Sequence, residues 1–193
     1  MVFNEETCKK AVKMLLESFG EDINRDGLKD TPRRVAGYWK ELLEGSNYTN
    51  KEIADKYSKK FIVKDDSLVV KEITNVYSHC EHHLALMFNM KVVVAYIPKK
   101  VKGGYEVIGL SKIPRIVEMC SKRLQLQEKL ASDISECISL ATGSKDVYVN
   151  IIGDHACVSA RGAKKDGFTD VTLLKGKFKT NTDLRNEVER KIK

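Results

Sequence analysis

The sequence predicts an α+β domain in which helices cover one face of a mainly antiparallel sheet, and three features point that way. Residues 68–77, 91–98 and 105–109 are rich in Val, Ile and Tyr and bounded by turn residues, as strands are. Residues 111–141 change to helical spacing, with Ile113, Ile116, Val117 and Cys120 on one stripe and Leu130, Ile134 and Ile138 on a later one. Beyond Gly143, residues 147–153 and 155–161 read as two further strands, with 168–174 as a weaker third.

Ahead of the first strand, Cys8, Ala11, Val12, Leu15, Leu16 and Phe19 recur at spacings of three and four, the stripe of an amphipathic helix over 5–19 that Gly20 stops. A second helix is expected with Thr31 as N-cap and Pro32 just inside, then Val35, Trp39, Leu42 and Leu43, ending near Gly45. These helices make residues 1–50 an N-terminal appendage to a domain over 51–193. Residues 99–104 are expected to be a loop between strands. One helix over 111–141 would be about 45 Å long, so a break is expected at 123–125. The tail, 175–193, carries seven Lys/Arg against three acids and reads as a solvated helix or arm.

At 193 residues, 42% hydrophobic and 32% charged, the chain can bury one ordinary core, which excludes the disordered and fibrous classes. No apolar run approaches the roughly 18 residues of a membrane-spanning helix. Glu5 and Glu6 stand where a signal peptide would be basic and then apolar, so a cytoplasmic location and no membrane partner are expected. Five cysteines are an odd number at irregular spacing, which argues for reduced thiols, buried or metal-bound, over a disulfide framework. The net charge of +7 suggests an anionic partner, a phosphorylated small molecule or nucleic acid.

The four histidines all lie close to a cysteine: His79, His82 and His83 beside Cys80, and His155 two residues before Cys157. Cys80-x-x-His83 lets a tight turn bring both side chains to one ion, and His155-x-Cys157 on a strand would point both to one face. Thiolate and imidazole are preferred zinc ligands. Three protein ligands leave a place for water, whereas a structural site is closed by four. The reading taken is that Cys80, His83 and Cys157 hold the ion while His82 and His155 move protons. Zinc lowers the pKa of a bound water from about 15.7 to about 7. Two alternatives stay open on spacing alone: a closed site using Cys80, His83, His155 and Cys157, or cysteines that are merely small buried hydrophobes.

Residues 109–115 end a strand and open a helix. Ser111 and Lys112 therefore sit where backbone N–H groups and the macrodipole favour an anion, and Arg115 projects from the same face. A phosphate chain could be clamped there, and a capped helix with a solvated basic first turn is the plainer reading. Arg161 is a further cationic candidate. Gln125, Gln127 and Glu128 are ordinary exposed helix residues on physical grounds.

With these residues in hand, the chain resembles GTP cyclohydrolase I. The matching stretches are Asp30-Thr-Pro-Arg-Arg-Val35, Cys80-Glu-His-His83, Ala95-Tyr-Ile-Pro98, Ile108-Gly-Leu-Ser-Lys-Ile113, Arg115-Ile-Val-Glu118, Gln125-Leu-Gln-Glu128 and His155-Ala-Cys-Val-Ser-Ala-Arg-Gly162, in the family's order. The resemblance implies a tunnelling fold, a four-stranded antiparallel sheet with two helices on one face between its strand pairs. It also implies a homo-oligomer, typically a decamer, with active sites between subunits. The implied reaction takes GTP and water to formate and 7,8-dihydroneopterin triphosphate, through opening of the purine at C8 and rearrangement of the ribose carbons.

Carried over by motif position, Cys80, His83 and Cys157 match zinc ligands, His82 and His155 the acid/base histidines, and Gln127 and Glu128 the guanine readers. A carboxylate at 128 would accept two adjacent hydrogen bonds from N1–H and the exocyclic amine of guanine. Ser111, with a catalytic role, and Lys112, Arg115, Arg161 and Arg34 match the phosphate side. Residues 163–174 keep only Thr169 and Thr172 of a run usually rich in Ser and Thr. One rival is another tunnelling-fold pterin or deazapurine enzyme. A zinc-stabilised nucleic-acid module is a second, which 7% aromatic content without basic and aromatic interleaving disfavours.

Overall fold

The structure is a computed structural model and describes residues 3–192. It opens with helices α1 (Glu5–Ser18), α2 (Thr31–Leu42) and α3 (Asn50–Lys56). Strands β1 (Lys60–Val63), β2 (Val69–Cys80), β3 (Ala85–Tyr96), β4 (Lys99–Val101) and β5 (Gly104–Ile108) follow. The middle of the chain is helix α4 (Lys112–Ser121), the two-residue strand β6 (Leu124–Gln125) and helix α5 (Gln127–Thr142). Strand β7 (Val147–His155), a single helical turn α6 (Ala156–Ser159), strand β8 (Thr169–Leu174) and helix α7 (Thr182–Lys191) complete it.

The main sheet has the order β6-β2-β3-β7-β8, antiparallel throughout except for the parallel β6–β2 pair. Two strands, two helices and two strands in succession form the tunnelling-fold unit. Its logic lies in β3, where Val92 to Tyr96 are completely buried because both faces are covered. Val92, Val94 and Tyr96 pack with Val147, Val149 and Ile151 of β7 beneath the apolar stripes of α4 and α5, including Ile116, Leu130 and Ile134. The alternate residues Val93 and Ala95 form a second, smaller core with Tyr148, Phe178 and Val188. Gly143, at φ +71°, caps α5 in the left-handed conformation that ends a helix cheaply only at glycine. No described helix is long and apolar enough to cross a membrane.

Several elements depart from expectation. The cap of α2 is Asp30, not Thr31, with Pro32 in the first turn. Residues 99–104 are no loop: β4 and β5 form a hairpin turning at Gly103 and Gly104, both at positive φ, and β5 also pairs with β1 in a separate three-stranded sheet. Helix α3 was not foreseen; a capping box between Thr49 and Glu52 starts it, and Ile53 and Ala54 join the main core. Residues 155–161 do not continue as a strand, since the chain turns helical at Ala156. The tail is a helix as expected, yet not wholly solvated, because Phe178 and Val188 are completely buried. Lys193 lies outside the described residues.

The break between α4 and α5 occurs at the expected place and is held by Arg123. Its guanidinium donates to Asp133 (2.6 Å), the Asn50 side chain (2.7 Å) and the carbonyls of Tyr48 (2.8 Å) and Gly45 (3.2 Å). The Arg123 and Asp133 side chains are only 11% and 8% exposed, so each would be costly alone and both are hydrogen-bonded together. Removing Arg123 leaves Asp133 with Lys129 (2.7 Å) and Asn50 (3.1 Å) as partners but frees the carbonyls of Tyr48 and Gly45. Arg123→Ala is expected to lower unfolding stability by about 1.5–3 kcal/mol, the range for hydrogen bonds to a charged group, read from urea denaturation at fixed protein concentration. A loss below roughly 1 kcal/mol would show that the clamp contributes little.

Candidate metal centre and active site

Three segments converge at one end of the main sheet. In the antiparallel register Cys80, the last residue of β2, faces Ala85 of β3, and Met87 of β3 faces His155, the last residue of β7. Strand β6 joins from the other side, pairing Leu124 with His79 and Gln125 with Cys80, which sets Gln125 to Glu128 beside the end of β2. The helical turn α6 then folds Cys157 back toward the same point. The tight turn at residues 81–84 carries His82 and His83 and includes Leu84 at φ +54°, an uncommon conformation for leucine that the flanking strands impose.

Ligating atoms of Cys80, His155 and Cys157 all lie within 4.8 Å of one another, close enough to hold one metal ion. Cys80 is buried, at 4% exposure, while His155 and Cys157 are half-buried. Burial pushes the Cys157 thiol above its ordinary range, and the neighbouring Cys80 sulfur pushes it further through charge and hydrogen bonding. Burial also holds His155 below the usual imidazole range, partly offset by the charges of Glu128 and Asp154. Without a metal, burial therefore disfavours the charged forms of His155 and Cys157. A bound cation reverses that preference, and thiolate with imidazole is the donor set of a borderline-soft ion.

The pairing differs from the sequence reading in one respect, since His155 stands with the two thiols while His83 stands outside. His83 is exposed, and its Nε2 lies 2.9 Å from Nη1 of Arg161. His155 and Cys157 do not share a strand face; the helical turn between them brings them together. His82 is exposed, its ring 6.4 Å from that of His83 and edge-on to it. Glu128 is exposed in the first turn of α5, where the macrodipole favours a carboxylate. Gln127, by contrast, is buried, its amide bonded to Ile151, Thr169 and His155.

The basic residues fall elsewhere. Ser111 caps α4 with no side-chain hydrogen bond to the helix, Lys112 begins it, and Arg115 is exposed. The end of α4 nearest Cys80 is its C-terminus, pinned where Ser78 donates to the Ser121 carbonyl at 2.7 Å. Ser111 and Lys112 therefore lie roughly 15 Å away along the helix axis. Arg34 is exposed on α2 and paired with Asp30 at 3.3 Å.

Sequence reasoning gave no role to the contact one turn beyond Arg34. Tyr38 Oη and His79 Nε2 are 2.8 Å apart, and Trp39 packs edge-on against the same imidazole. His79, only 3% exposed, thereby ties α2 to the strand that ends in Cys80. The only signal was an aromatic pair on α2, which core packing explains equally well.

Fold and site together define a tunnelling-fold enzyme with a thiol–imidazole cluster at the end of its sheet. The description GTP cyclohydrolase I belongs to the family model that matches residues 8–193. The GTP cyclohydrolase 1 of Clostridium botulinum is 44% identical over 97% of both chains. That of Clostridium beijerinckii is 45% identical over 93% of this chain and 92% of its own. Among solved structures, apo archaeosine synthase QueF-like aligns over 58% of this chain and 97% of its own, at 22% identity and a TM-score of 0.46. The chain belongs to the GTP cyclohydrolase I family and is a hydrolase.

Thiol accessibility checks the cluster directly. In chelator-treated protein, the half-buried Cys8 and Cys157 are expected to react with a thiol reagent before the buried Cys80, Cys120 and Cys137. Added Zn2+ should then suppress labelling of Cys157 and leave Cys8 unchanged. Equal labelling of Cys157 with and without the ion would count against a metal centre here.

Proposed function

We propose that the chain is a zinc-dependent GTP cyclohydrolase I. It takes GTP and water to formate and 7,8-dihydroneopterin triphosphate, the first step of pterin and tetrahydrofolate biosynthesis. The observation that carries this reading is the cluster of Cys80, His155 and Cys157 within 4.8 Å, set beside the Glu128 end of α5.

Zinc, when bound, supplies a water acidic enough to be hydroxide near neutral pH. Cys80, Cys157 and His83 would hold it. A guanidinium can only donate, so His83 Nε2 here accepts from Arg161, and ligation through that nitrogen would require Arg161 to give up the contact. His155, beside the thiols, and His82, on the exposed turn, transfer protons during ring opening and closure. Glu128 accepts two hydrogen bonds from the guanine edge, a charge-assisted bidentate contact. Arg161, Ser111, Lys112, Arg115 and Arg34 hold the triphosphate.

The placement of α4 bears on assembly. With Ser111 and Lys112 a helix length from the thiols of their own chain, a triphosphate beside one cluster is served by α4 of another copy. A homo-oligomer, with the decamer as the proposed state, accounts for that. The sheet supports it too, because β8 ends the sheet and β6 covers only residues 79 and 80 of β2, leaving edges open to pairing. We also propose that residues 51–193 form the catalytic unit, with the N-terminal helices appended, and that the enzyme works in the cytoplasm with no nucleic-acid or membrane partner.

Incubation with GTP should release formate together with a product that shows neopterin fluorescence after oxidation and dephosphorylation. A different pterin or deazapurine product would replace this reading. Cys157→Ala should lose both bound zinc and formate release, and full activity in that variant would refute the metal's role. For Glu128→Ala, kcat/KM for GTP should fall by about two to three orders of magnitude, as for a lost charged hydrogen-bonded pair, with the urea midpoint nearly unchanged. Unchanged steady-state kinetics would remove Glu128 from the site.

A further inference from the structure

Gln127 stands next to Glu128 but meets the site in a different way. It is 2% exposed, and its Nε2 donates to the carbonyls of Ile151 in β7 (2.9 Å) and Thr169 in β8 (3.0 Å). Both amide protons are thereby used. The reverse amide orientation would set its oxygen against two carbonyl oxygens, so the network determines which atom is which. The remaining atom, Oε1, faces His155 Nε2 at 2.7 Å. A carboxamide oxygen can only accept, so His155 carries its proton on Nε2 and keeps the lone pair on Nδ1.

We infer that Gln127 is a positioning residue that fixes the tautomer and ring orientation of His155, rather than a reader of the purine. The side chain has no donor left to offer a base, and it lies in the wall of the site. Its anchorage spans the two strands that lead to and from α6, so the imidazole direction is tied to the β7–β8 ladder and not to a flexible loop. With Nε2 occupied, Nδ1 is the one nitrogen through which His155 can take up a proton or meet a metal. The inference rests on the proposed role of His155 at the site, and the first measurement below is independent of that role.

Nitrogen-15 spectra of histidine-labelled protein in its assembled state, recorded by magic-angle spinning above neutral pH, read the tautomer directly. His155 is assigned by the signal missing in His155→Ala. A protonated Nε2 and an unprotonated Nδ1 are expected, with and without zinc. Protonated Nδ1 would overturn the inference whether or not the protein turns over GTP. In Gln127→Met, which keeps length and loses both polar atoms, kcat should fall about ten- to hundredfold with KM for GTP little changed. In a His155→Ala background the same substitution should change kcat no further. A tenfold rise in KM at constant kcat, or an additive loss in the double variant, would return Gln127 to the purine. Should Gln127→Met fail to fold, the spectra of the unsubstituted protein still decide.

Discussion

The site depends on a change of side-chain parity within two strands. Along the middle of β3 the residues that face the helical layer are Met90, Val92, Val94 and Tyr96, at even positions; nearer the site Met87, at an odd one, joins the same core. The β3–β7 register shifts between Phe88 and Lys91, where Asn89 sits at φ +51°. Strand β2 behaves likewise: Val69 and Ile73 pack on the helical side before its first irregularity, Val76 and Cys80 beyond it, with Asn75 at φ +57° at the change. Asparagine tolerates the left-handed region better than most residues, and an extra residue at a bulge re-aims everything beyond it. Strand β7 keeps one parity from Val147 to His155, so only the resets in β2 and β3 place Cys80 and His155 under the same helices. A one-residue slip would turn Cys80 to the opposite face.

This explains which parts of the molecule could be read from sequence. Period and length sufficed for α1, the α4–α5 break and most of the strands, because each is a local pattern of apolar residues fitted to a covered face. The two Cys/His pairs were visible as chemistry, and their meeting was anticipated. Which histidine would stand beside the thiols was not, since spacing treats His83 and His155 alike. A helical turn at Ala156 and an arginine on His83 decide it, and neither has a signature in a four-residue window. The hairpin after Pro98 was hidden by the lysines along its first strand and turn, and the parity resets by asparagines that read equally well as polar strand residues. Gln127 is matched to a base reader only through the family resemblance, while its burial follows from two carbonyls far along the chain.

Rigidity around the cluster comes from hydrogen bonds that each cross between elements. Arg123 joins the residues before α3 to the α4–α5 break, Ser78 joins β2 to the end of α4, His79 joins β2 to α2, and Gln127 joins α5 to β7 and β8. In each case a partly or fully buried polar group would be costly if unpaired, so the energetic requirement for satisfaction is also what locates the strand ends. Sites built on such ends are held more tightly than sites on loops. The exposed turn at residues 81–84 is the exception.

The charge distribution separates the two kinds of recognition the proposed substrate needs. Beside the thiols stand His155, whose charged form burial disfavours, and the carboxylate of Glu128, which on the proposed function would receive a planar base. The cations proposed to hold a triphosphate, apart from Arg161 and Arg34, gather at the far end of α4, where the helix N-terminus adds its own partial positive charge. On the proposed function, one folded chain would present a base-reading end and a phosphate-holding end roughly a helix length apart. On that reading, a substrate carrying both a purine and a triphosphate would span them only where two copies meet, and the open sheet edges would provide the means of meeting.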